Sequence, residues 1–422
     1  MTFSFIHASD IHLDSPLCGL DNYEGAPVDE IRGATRKAFI NLVNLALEEN
    51  VSFVLIAGDL YDGDWKDYKT GLFLLSQLSK LTSHGVRVYI TKGNHDAESK
   101  MTKDLKLPEG IKMFSSLAPE TFMLEDLGVA IHGQSFATVA EKKDLASSYP
   151  SMKLGLFNIG ILHTSVNGRE GHENYAPCTI NILKSKGYDY WALGHVHKRE
   201  VLSEDPWIVF SGNIQGRHIK EIGPKGCTLV RVEDGVVVAV EPYNLHTLVW
   251  SFCDINVSWA ANAEDVVERV KKNVEEIYVA NNKDFTAIRV RVHGRCEAHK
   301  ELSDNSEKWT NEIRLAVADA CGGSVWLEKI SIQTEIKADI EQIRKRNDAI
   351  GDLLRYIESL DDAGSQRLSD LISEELTELR VKLPSDIGQG LKDLESQEKS
   401  SEVLDEVKQF LISRLLSSGG GQ

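Results

Sequence analysis

The stretch VLIAGDLYD, residues 54–62, constrains the fold more than any other part of the sequence. Its first four residues are apolar and form a segment short enough to be one buried strand. Gly58 then permits a sharp turn where a side chain would clash, and Asp59 follows at the carboxyl end of the strand, where open α/β sheets place their ligands. Because a carboxylate has two oxygens, it can contact two cations at once. We therefore predict that Asp59 bridges two metal ions.

Four further apolar segments are followed by residues that can bind metals. They are Phe3–Ala8 with Asp10 and His12, Val86–Thr91 with Asn94 and His95, Leu156–Leu162 with His163, and Tyr190–Leu193 with His195 and His197. Taken singly, each motif also fits a polar turn residue or a core histidine. Helices between the strands predict βαβ units, whose right-handed crossovers bring the strand ends to one edge of a sheet. Carboxylates and imidazoles that meet there suit manganese, iron or zinc.

The overall composition excludes several classes of protein. The 422 residues include 47 Lys and Arg against 64 Asp and Glu, and the net charge of −17 argues against binding nucleic acid by overall electrostatics alone. No apolar run reaches the ~18 residues of a membrane span, and the amino terminus lacks the features of a signal peptide. Six scattered cysteines without paired spacing indicate reduced thiols. We expect a cytoplasmic protein that does not contact a membrane.

Five motifs together resemble those of the calcineurin-like metallophosphoesterase superfamily: DIH (10–12), GD (58–59), GNHD (93–96), H (163) and GHVH (194–197). The segments FIHASDIHLD, GDLYD and PWIVFSGNIQGRHIKEIGPKGC are similar to its DNA-repair exonuclease branch, which includes the SbcD and YhaO-like nuclease subunits of bacteria. The resemblance spans residues 5–227. It implies an α/β fold, a four-layer α/β/β/α metallophosphoesterase sandwich, followed by a small α/β capping domain and a C-terminal helical region.

The resemblance also implies two sets of four metal ligands that share Asp59: Asp10, His12, Asp59 and His197 for one ion, and Asp59, Asn94, His163 and His195 for the other. It implies two divalent ions, with Mn²⁺ favoured and Mg²⁺, Fe²⁺ or Zn²⁺ left open. His95 would be a catalytic residue rather than a ligand. Asp62 stands where the repair nucleases often have a second functional histidine.

Some residues near these motifs admit two interpretations. His95 follows Asn94 on a tight turn, where it can supply a proton to the leaving oxygen. Asp96 either orients His95 through its other ring nitrogen, as carboxylates near metal sites do, or stabilises the turn. Arg217 and His218 follow a turn at the end of a strand. They either contact the backbone of a DNA substrate or belong to an exposed charged loop.

We predict three parts of the chain: residues 1–245 as the nuclease core, 246–336 as a capping domain for DNA recognition, and 337–422 as a helical region. In the last part, three apolar stripes either pack against one another or dock on a partner. They consist of Ile340, Ile343, Ile350, Leu354 and Ile357, of Leu368, Leu371, Ile372, Leu376 and Leu379, and of Val403, Val407, Phe410 and Leu411. The resemblance implies that this partner is an SMC-like coiled-coil ATPase, and it leaves a homodimer open.

The combined prediction is a manganese-dependent DNA exonuclease that acts in repair or defence, with single-strand endonuclease activity left open. One alternative is the same two-metal chemistry on a nucleotide, cyclic nucleotide or phosphoprotein. The chain beyond the core argues against it, because a small substrate needs no such appendage. The other alternative is a non-catalytic scaffold, against which the complete set of predicted ligands argues.

Overall fold

The computed structural model describes residues 1–15, 27–62, 68–98, 107–166 and 175–337, and a few isolated positions beyond them. Its strands are β1 (Thr2–Ala8), β2 (Phe53–Ala57), β3 (Arg87–Thr91), β4 (Ile111–Met113), β5 (Glu120–Leu124), β6 (Val129–Gly133), β7 (Phe157–His163), β8 (Tyr190–Gly194), β9 (Glu200–Glu204), β10 (Trp207–Phe210), β11 (Gly226–Glu233), β12 (Val236–Asn244), β13 (Val249–Asn256), β14 (Thr286–Cys296) and β15 (Val325–Ile336). Its α-helices are α1 (Val28–Glu48), α2 (Tyr68–Ser83), α3 (Asn94–Glu98), α4 (Ile180–Ser185), α5 (Ala263–Ala280), α6 (His299–Asp304) and α7 (Ser306–Cys321).

Two six-stranded sheets form within the described part of the chain up to β12. One has the strand order β12-β11-β1-β2-β3-β4, and the other has the order β5-β6-β7-β8-β10-β9. Strands β1 to β4 are parallel in the first sheet, as are β6, β7, β8 and β10 in the second. Parallel strands that are covered on both faces have nearly continuous apolar sequences, which is why residues 54–57 and 190–193 are recognisable as strands.

Three of the hydrophobic clusters in the described residues are separated by the alternation of side chains along the strands of the two large sheets. Side chains of both sheets, among them Phe5 and Ile161, fill the space between the sheets. Phe39 of α1 and Leu78 of α2 cover the outer face of the first sheet, and Leu183 of α4 belongs to the cluster on the second. Each large apolar side chain buried in this way contributes about 1.5–3 kcal/mol. The layers are the α/β/β/α sandwich that the sequence predicts.

A third, three-stranded sheet has the order β13-β14-β15. The chain divides into two compact units, the first made of Met1–Phe252, Val274–Arg289 and Cys321–Lys329, the second of Cys253–Asn273, Val290–Ala320 and the chain from Ile330 onward. The predicted boundary at residues 245 and 246 falls between β12 and β13, whereas parts of residues 246–336 belong to the first unit. The division into a core and a capping domain therefore stays a prediction.

None of the described helices combines the length and the apolar character needed to cross a lipid bilayer. The five cysteines in the described residues are buried, and no disulfide joins them. The three apolar stripes predicted within residues 337–422 lie outside the described residues, so their packing or docking also stays a prediction.

Candidate metal centre

Polar side chains gather where the parallel strands of both sheets end. Asp10 and His12 follow β1, Asp59 follows β2, and His163 is the last residue of β7. All four are buried, with at most 2% of each residue exposed. Asn94 begins the short helix α3 after β3 and is 8% exposed. The convergence follows from the parallel topology, because parallel strands present their carboxyl ends at one edge of a sheet.

The backbone at these strand ends is held in an unusual conformation. Asp10, His12 and Asp59 have φ angles of 50°, 45° and 52°, in the left-handed region that is unfavourable for residues other than glycine. Backbone hydrogen bonds of 3.0 Å from Asp10 N to Gly58 O and from His12 N to Asp59 O stabilise it. Gly58 itself has φ of 87°, and a Cβ there would lie 2.3 Å from Nδ1 of His163. Only glycine fits at that turn.

One cluster consists of Asp10, His12 and His197, whose ligand atoms all lie within 4.8 Å of one another. Nε2 of His12 is 3.2 Å from Nε2 of His197 and 3.9 Å from Oδ2 of Asp59. Nδ1 of His197 lies 2.6 Å from a carboxylate oxygen of Glu221. Because a carboxylate can only accept, Nδ1 carries the proton, and the lone pair of His197 Nε2 faces the cluster.

A second cluster consists of Asp10, Asp59 and His163, again with ligand atoms within 4.8 Å of one another. Nε2 of His163 lies 3.4 Å from Oδ2 of Asp59 and 3.0 Å from Oδ1 of Asn94. Nδ1 of the same ring donates to the carbonyl oxygen of Ala57 at 3.0 Å, so Nε2 is the ring nitrogen that faces the cluster. The Oδ2 atom of Asp59 therefore lies close to one histidine of each cluster.

These donor atoms fit divalent cations. Nε2 of His12 and Nε2 of His197 form a hydrogen bond at 3.2 Å only when one of them carries a proton, and a cation between them is the other arrangement that satisfies both atoms. The 3.0 Å contact between Oδ1 of Asn94 and Nε2 of His163 likewise needs a proton or a cation, because an amide oxygen can only accept. Nitrogen and oxygen donors mixed in this way suit Mn²⁺, Fe²⁺ and Zn²⁺. Asp10 belongs to both clusters, and Asp59, a member of the second, also faces His12 of the first at 3.9 Å, as a bridging carboxylate would.

His195 completes the group of predicted ligands. Its backbone N–H donates to both carboxylate oxygens of Asp10, each at 3.1 Å. Its ring centroid lies 5.1 Å from that of His163 and 5.7 Å from that of Tyr175. The structure thus brings together all the residues predicted to bind metal: Asp10, His12, Asp59, Asn94, His163, His195 and His197.

The electrostatics of the clusters favour cation binding. Burial lowers the pKa of His12 to about 4, so this ring is neutral and able to act as a ligand near pH 7. For His163, burial acts against protonation, but the carboxylates of Asp59 and Asp10 outweigh it and raise the pKa to about 9. A metal ion that binds His163 at neutral pH must therefore displace a proton, which makes metal affinity dependent on pH.

His95 occupies the rim of the site, with 38% of its side chain exposed. Its Nδ1 atom lies 2.8 Å from a carboxylate oxygen of Asp62, and its backbone N–H donates to Oδ1 of Asp59 at 3.0 Å. Burial opposes protonation, but the contact with Asp62 outweighs it and raises the pKa of His95. Because Nδ1 is engaged, Nε2 is the ring atom that remains to exchange a proton.

The carboxylate of Asp96 is occupied by backbone groups. It accepts hydrogen bonds from the N–H groups of Leu60 at 2.9 Å, Tyr61 at 3.0 Å and Gly93 at 3.0 Å. Burial and a neighbouring carboxylate raise the pKa of Asp96 to about 6. This geometry favours the second of the two sequence interpretations, in which Asp96 stabilises the turn rather than orienting His95.

Arg217 and His218, the predicted substrate contacts, have different environments. The Arg217 side chain is only 13% exposed, with Nη1 3.2 Å from Asp62 and Nη2 3.2 Å from Glu221. The His218 side chain is 53% exposed, and its Nε2 atom lies 3.6 Å from Glu221. Sequence reasoning missed Glu221, which is 7% exposed, because no motif marks the last residue of RHIKE as a partner of a distant histidine.

Two family descriptions match the chain: "Calcineurin-like phosphoesterase" over residues 3–199, and "Metallophosphoesterase YhaO, middle domain" over residues 250–335. The chain is 37% identical to the metallophosphoesterase YhaO of Bacillus subtilis, over 81% of this chain and 84% of that protein. It is 21% identical to the DNA double-strand break repair protein Mre11 of Sulfolobus acidocaldarius, over 88% of this chain and 94% of that protein. It is 25% identical to the protein of the same name from Sulfurisphaera tokodaii, over 69% and 73%. The first family match contains all the predicted metal ligands.

Proposed function

The chain belongs to the calcineurin-like metallophosphoesterase family, and we propose that it is a two-metal phosphodiesterase that cleaves DNA. One observation carries this proposal: two clusters of imidazole and carboxylate groups share Asp10, Oδ2 of the buried Asp59 faces a histidine of each, and the partly exposed His95 lies beside them. A cluster with only a structural role would not need His95 at its rim, with Nδ1 held by Asp62 and Nε2 left to exchange a proton.

In this proposal each ion has four ligands, and Asp59 belongs to both sets: Asp10, His12, Asp59 and His197 in one, and Asp59, Asn94, His163 and His195 in the other. The chemistry that two divalent ions supply when bound is polarisation of a phosphoryl oxygen and acidification of a water. The residues of the chain hold and orient the ligands. Glu221 and the Ala57 carbonyl hold the rings of His197 and His163 in the tautomer that presents Nε2.

His95 acts as the general acid in the proposed reaction. The leaving alkoxide of a phosphodiester is a poor leaving group and needs a proton as the bond to phosphorus breaks. Asp62 fixes the proton on Nδ1 of His95 and stabilises the charged ring, so Nε2 can deliver its own proton to the leaving oxygen. Asp96 shapes the loop on which His95 lies through its three backbone contacts.

DNA as the substrate is supported by the two Mre11 proteins, whose names state a role in DNA double-strand break repair. Their similarity covers 88% and 69% of this chain, which extends beyond the 3–199 match. We propose manganese as the metal and exonucleolytic cleavage as the activity. A nucleotide, a cyclic nucleotide or a phosphoprotein is the competing substrate class, because the name of the YhaO relative specifies only a metallophosphoesterase.

The purified protein with Mn²⁺ should be assayed against labelled duplex DNA, labelled single-stranded DNA, a cyclic nucleotide and a chromogenic phosphodiester. We expect shortening of DNA and cleavage of the chromogenic diester, both abolished by a chelator and restored by Mn²⁺. Cleavage of the chromogenic diester or the cyclic nucleotide without cleavage of either DNA would indicate that the substrate is a small molecule and not DNA. No hydrolysis of any substrate would favour a non-catalytic scaffold.

Three further elements belong to the same proposal. Residues 246–336 form a capping domain that selects DNA ends, which the middle-domain match over residues 250–335 supports. Residues 337–422 dock on an SMC-like coiled-coil ATPase, as expected for the nuclease branch that the motifs resemble. The reaction takes place in the cytoplasm, which agrees with the five buried cysteines of the described residues, none of them joined to another by a disulfide.

A further inference from the structure

Arg217 lies between two carboxylates that belong to different parts of the site. Nη1 is 3.2 Å from Oδ2 of Asp62, and Nη2 is 3.2 Å from Oε1 of Glu221. The backbone N–H of Arg217 also donates to Oε2 of Glu221 at 2.8 Å. Asp62 and Glu221 are 17% and 6% exposed at their side chains. One guanidinium therefore compensates two largely buried negative charges.

Each of these carboxylates contacts an imidazole through its Nδ1 atom. Asp62 lies 2.8 Å from Nδ1 of His95 and 3.5 Å from Nδ1 of His12, and Glu221 lies 2.6 Å from Nδ1 of His197. The contacts form a continuous series from His95 through Asp62, Arg217 and Glu221 to His197. The general acid candidate and a ligand candidate are thereby connected through a single arginine.

The chemistry of this series requires arginine. A planar guanidinium presents several N–H groups in a fixed fork and can hold two carboxylates at once, whereas a lysine ammonium is a single point of charge on a flexible stem. Without the guanidinium, Asp62 and Glu221 would keep their charges in a poorly solvated site. They would then relax toward solvent and release the rings they hold.

We propose that Arg217 is a positioning residue that sets the rings of His95 and His197 together and does not contact the substrate. Arg217 thus couples metal affinity, through Glu221 and His197, to proton delivery, through Asp62 and His95. This inference rests on the proposed function for its turnover effects, but its effect on metal affinity does not depend on the substrate.

The test begins with metal binding in the absence of substrate. Arg217→Gln and Arg217→Lys should each bind Mn²⁺ about 10- to 100-fold more weakly than the wild type by calorimetric titration, the usual effect of losing a partner behind a metal-bound histidine. Lys220→Gln is the matched control, because Lys220 is an exposed cation in the same loop and should leave Mn²⁺ affinity unchanged. If Arg217→Gln does not fold, as judged by thermal unfolding, Arg217→Lys provides the measurement.

The second arm separates positioning from substrate contact. At saturating Mn²⁺, Arg217→Lys should lower kcat on the chromogenic diester and on DNA by the same factor, with KM little changed. Combined with His95→Ala, it should cost little further turnover, since both changes disable one proton donor. Wild-type Mn²⁺ affinity in the Arg217 variants, or a loss confined to DNA, would overturn the proposal and make Arg217 a substrate contact. If the wild type cleaves nothing, the proposed function fails, and the metal titration still decides the role of Arg217.

Discussion

The Nδ1 atom of His95 lies 2.8 Å from a carboxylate oxygen of Asp62, three residues beyond Asp59 in the chain. The stretch GDLYD therefore has two different roles: Oδ2 of Asp59 faces one histidine of each cluster, and Asp62 orients the ring at their rim. Asp96, the residue that follows His95 in the chain, does not take this role, because its carboxylate contacts backbone N–H groups. A single short loop after β2 thus contacts both the candidate metal ligands and His95, the proposed proton donor.

Removing the His95 ring should separate chemistry from metal binding. His95→Ala should lower turnover of a chromogenic diester by roughly 10²–10⁴-fold, the usual contribution of a general acid, while both metal ions are retained. Metal content measured beside kcat provides the check. His84→Ala is the control, because His84 is exposed and precedes β3, at the opposite end of that strand from the site. Loss of metal from His95→Ala would make His95 a ligand.

Replacing Asp59 should affect both ions at once. Asp59→Asn keeps the shape of the side chain but removes the charge that faces His12 and His163 at 3.9 Å and 3.4 Å. We expect nearly complete loss of activity and of bound metal, measured by elemental analysis after gel filtration. Asp126→Asn, at an exposed ion pair with Arg87, should behave as the wild type. Retention of both ions by Asp59→Asn would contradict the bridging role.

The sequence was sufficient for the features that depend on local pattern. Continuous apolar runs predicted the strands that the candidate metal-binding motifs follow or end, whereas the parallel strand β4, which has only three residues, was missed. Strand β9 was missed, because residues 200–204 are half-exposed or exposed and show no alternation. The residues that contact the site histidines from other loops could not be predicted either. Glu221 contacts a histidine 24 residues away, and Asp62 contacts one 33 residues away. Such contacts depend on how the loops pack, which no spacing in the sequence encodes.

Gly194 should not tolerate a side chain, because it ends β8 in one sheet and lies against Ala57, the last residue of β2 in the other. A Cβ at this position would lie 1.8 Å from the carbonyl oxygen of Ala57 and 3.0 Å from Nδ1 of His163. Gly194→Ala should lower the free energy of unfolding by about 1–3 kcal/mol, as overpacking does, and weaken metal binding, since Ala57 holds the His163 ring. Urea denaturation without metal isolates the stability effect. Gly33→Ala in α1, where a Cβ meets only the end of Lys37 at 3.9 Å, should be neutral or stabilising.

His7 should make stability depend on pH. Burial lowers its pKa from 6.5 to about 3, and the ring contacts the hydroxyl of Tyr190 and the carbonyl of Leu193. Between these values the unfolded chain binds a proton that the folded chain does not, so stability falls as pH falls from 6.5 toward 3, by up to about 1.4 kcal/mol per pH unit. His7→Gln should remove this part of the slope in metal-free urea denaturation. If the free energy of unfolding depends on pH in the same way in both proteins, His7 is not the source of this slope.

Truncation after Ile336, the last residue of β15, should separate catalysis from partner docking. The metal centre lies entirely within residues 10–197, and none of its contacts in the described structure involves a residue beyond 336. We therefore expect the shortened protein to fold and to cleave a chromogenic diester at the wild-type rate. It should no longer co-purify with an SMC-like ATPase or support ATP-dependent cleavage of long duplexes, because apolar helical stripes of the kind predicted in residues 337–422 bind partners by burying their exposed face.

A second truncation that removes only residues 419–422 is the matched control, since it leaves all three stripes intact and should recover the ATPase as the full chain does. Equal recovery of the ATPase by the long truncation would place the docking surface before residue 337. An insoluble or unfolded long truncation would instead show that residues 337–422 are needed for folding. In that case single Leu→Asp changes at Leu368, Leu376 and Leu411 distinguish the two uses, because a docking stripe tolerates them in the isolated protein and loses the ATPase, whereas an internal stripe loses stability.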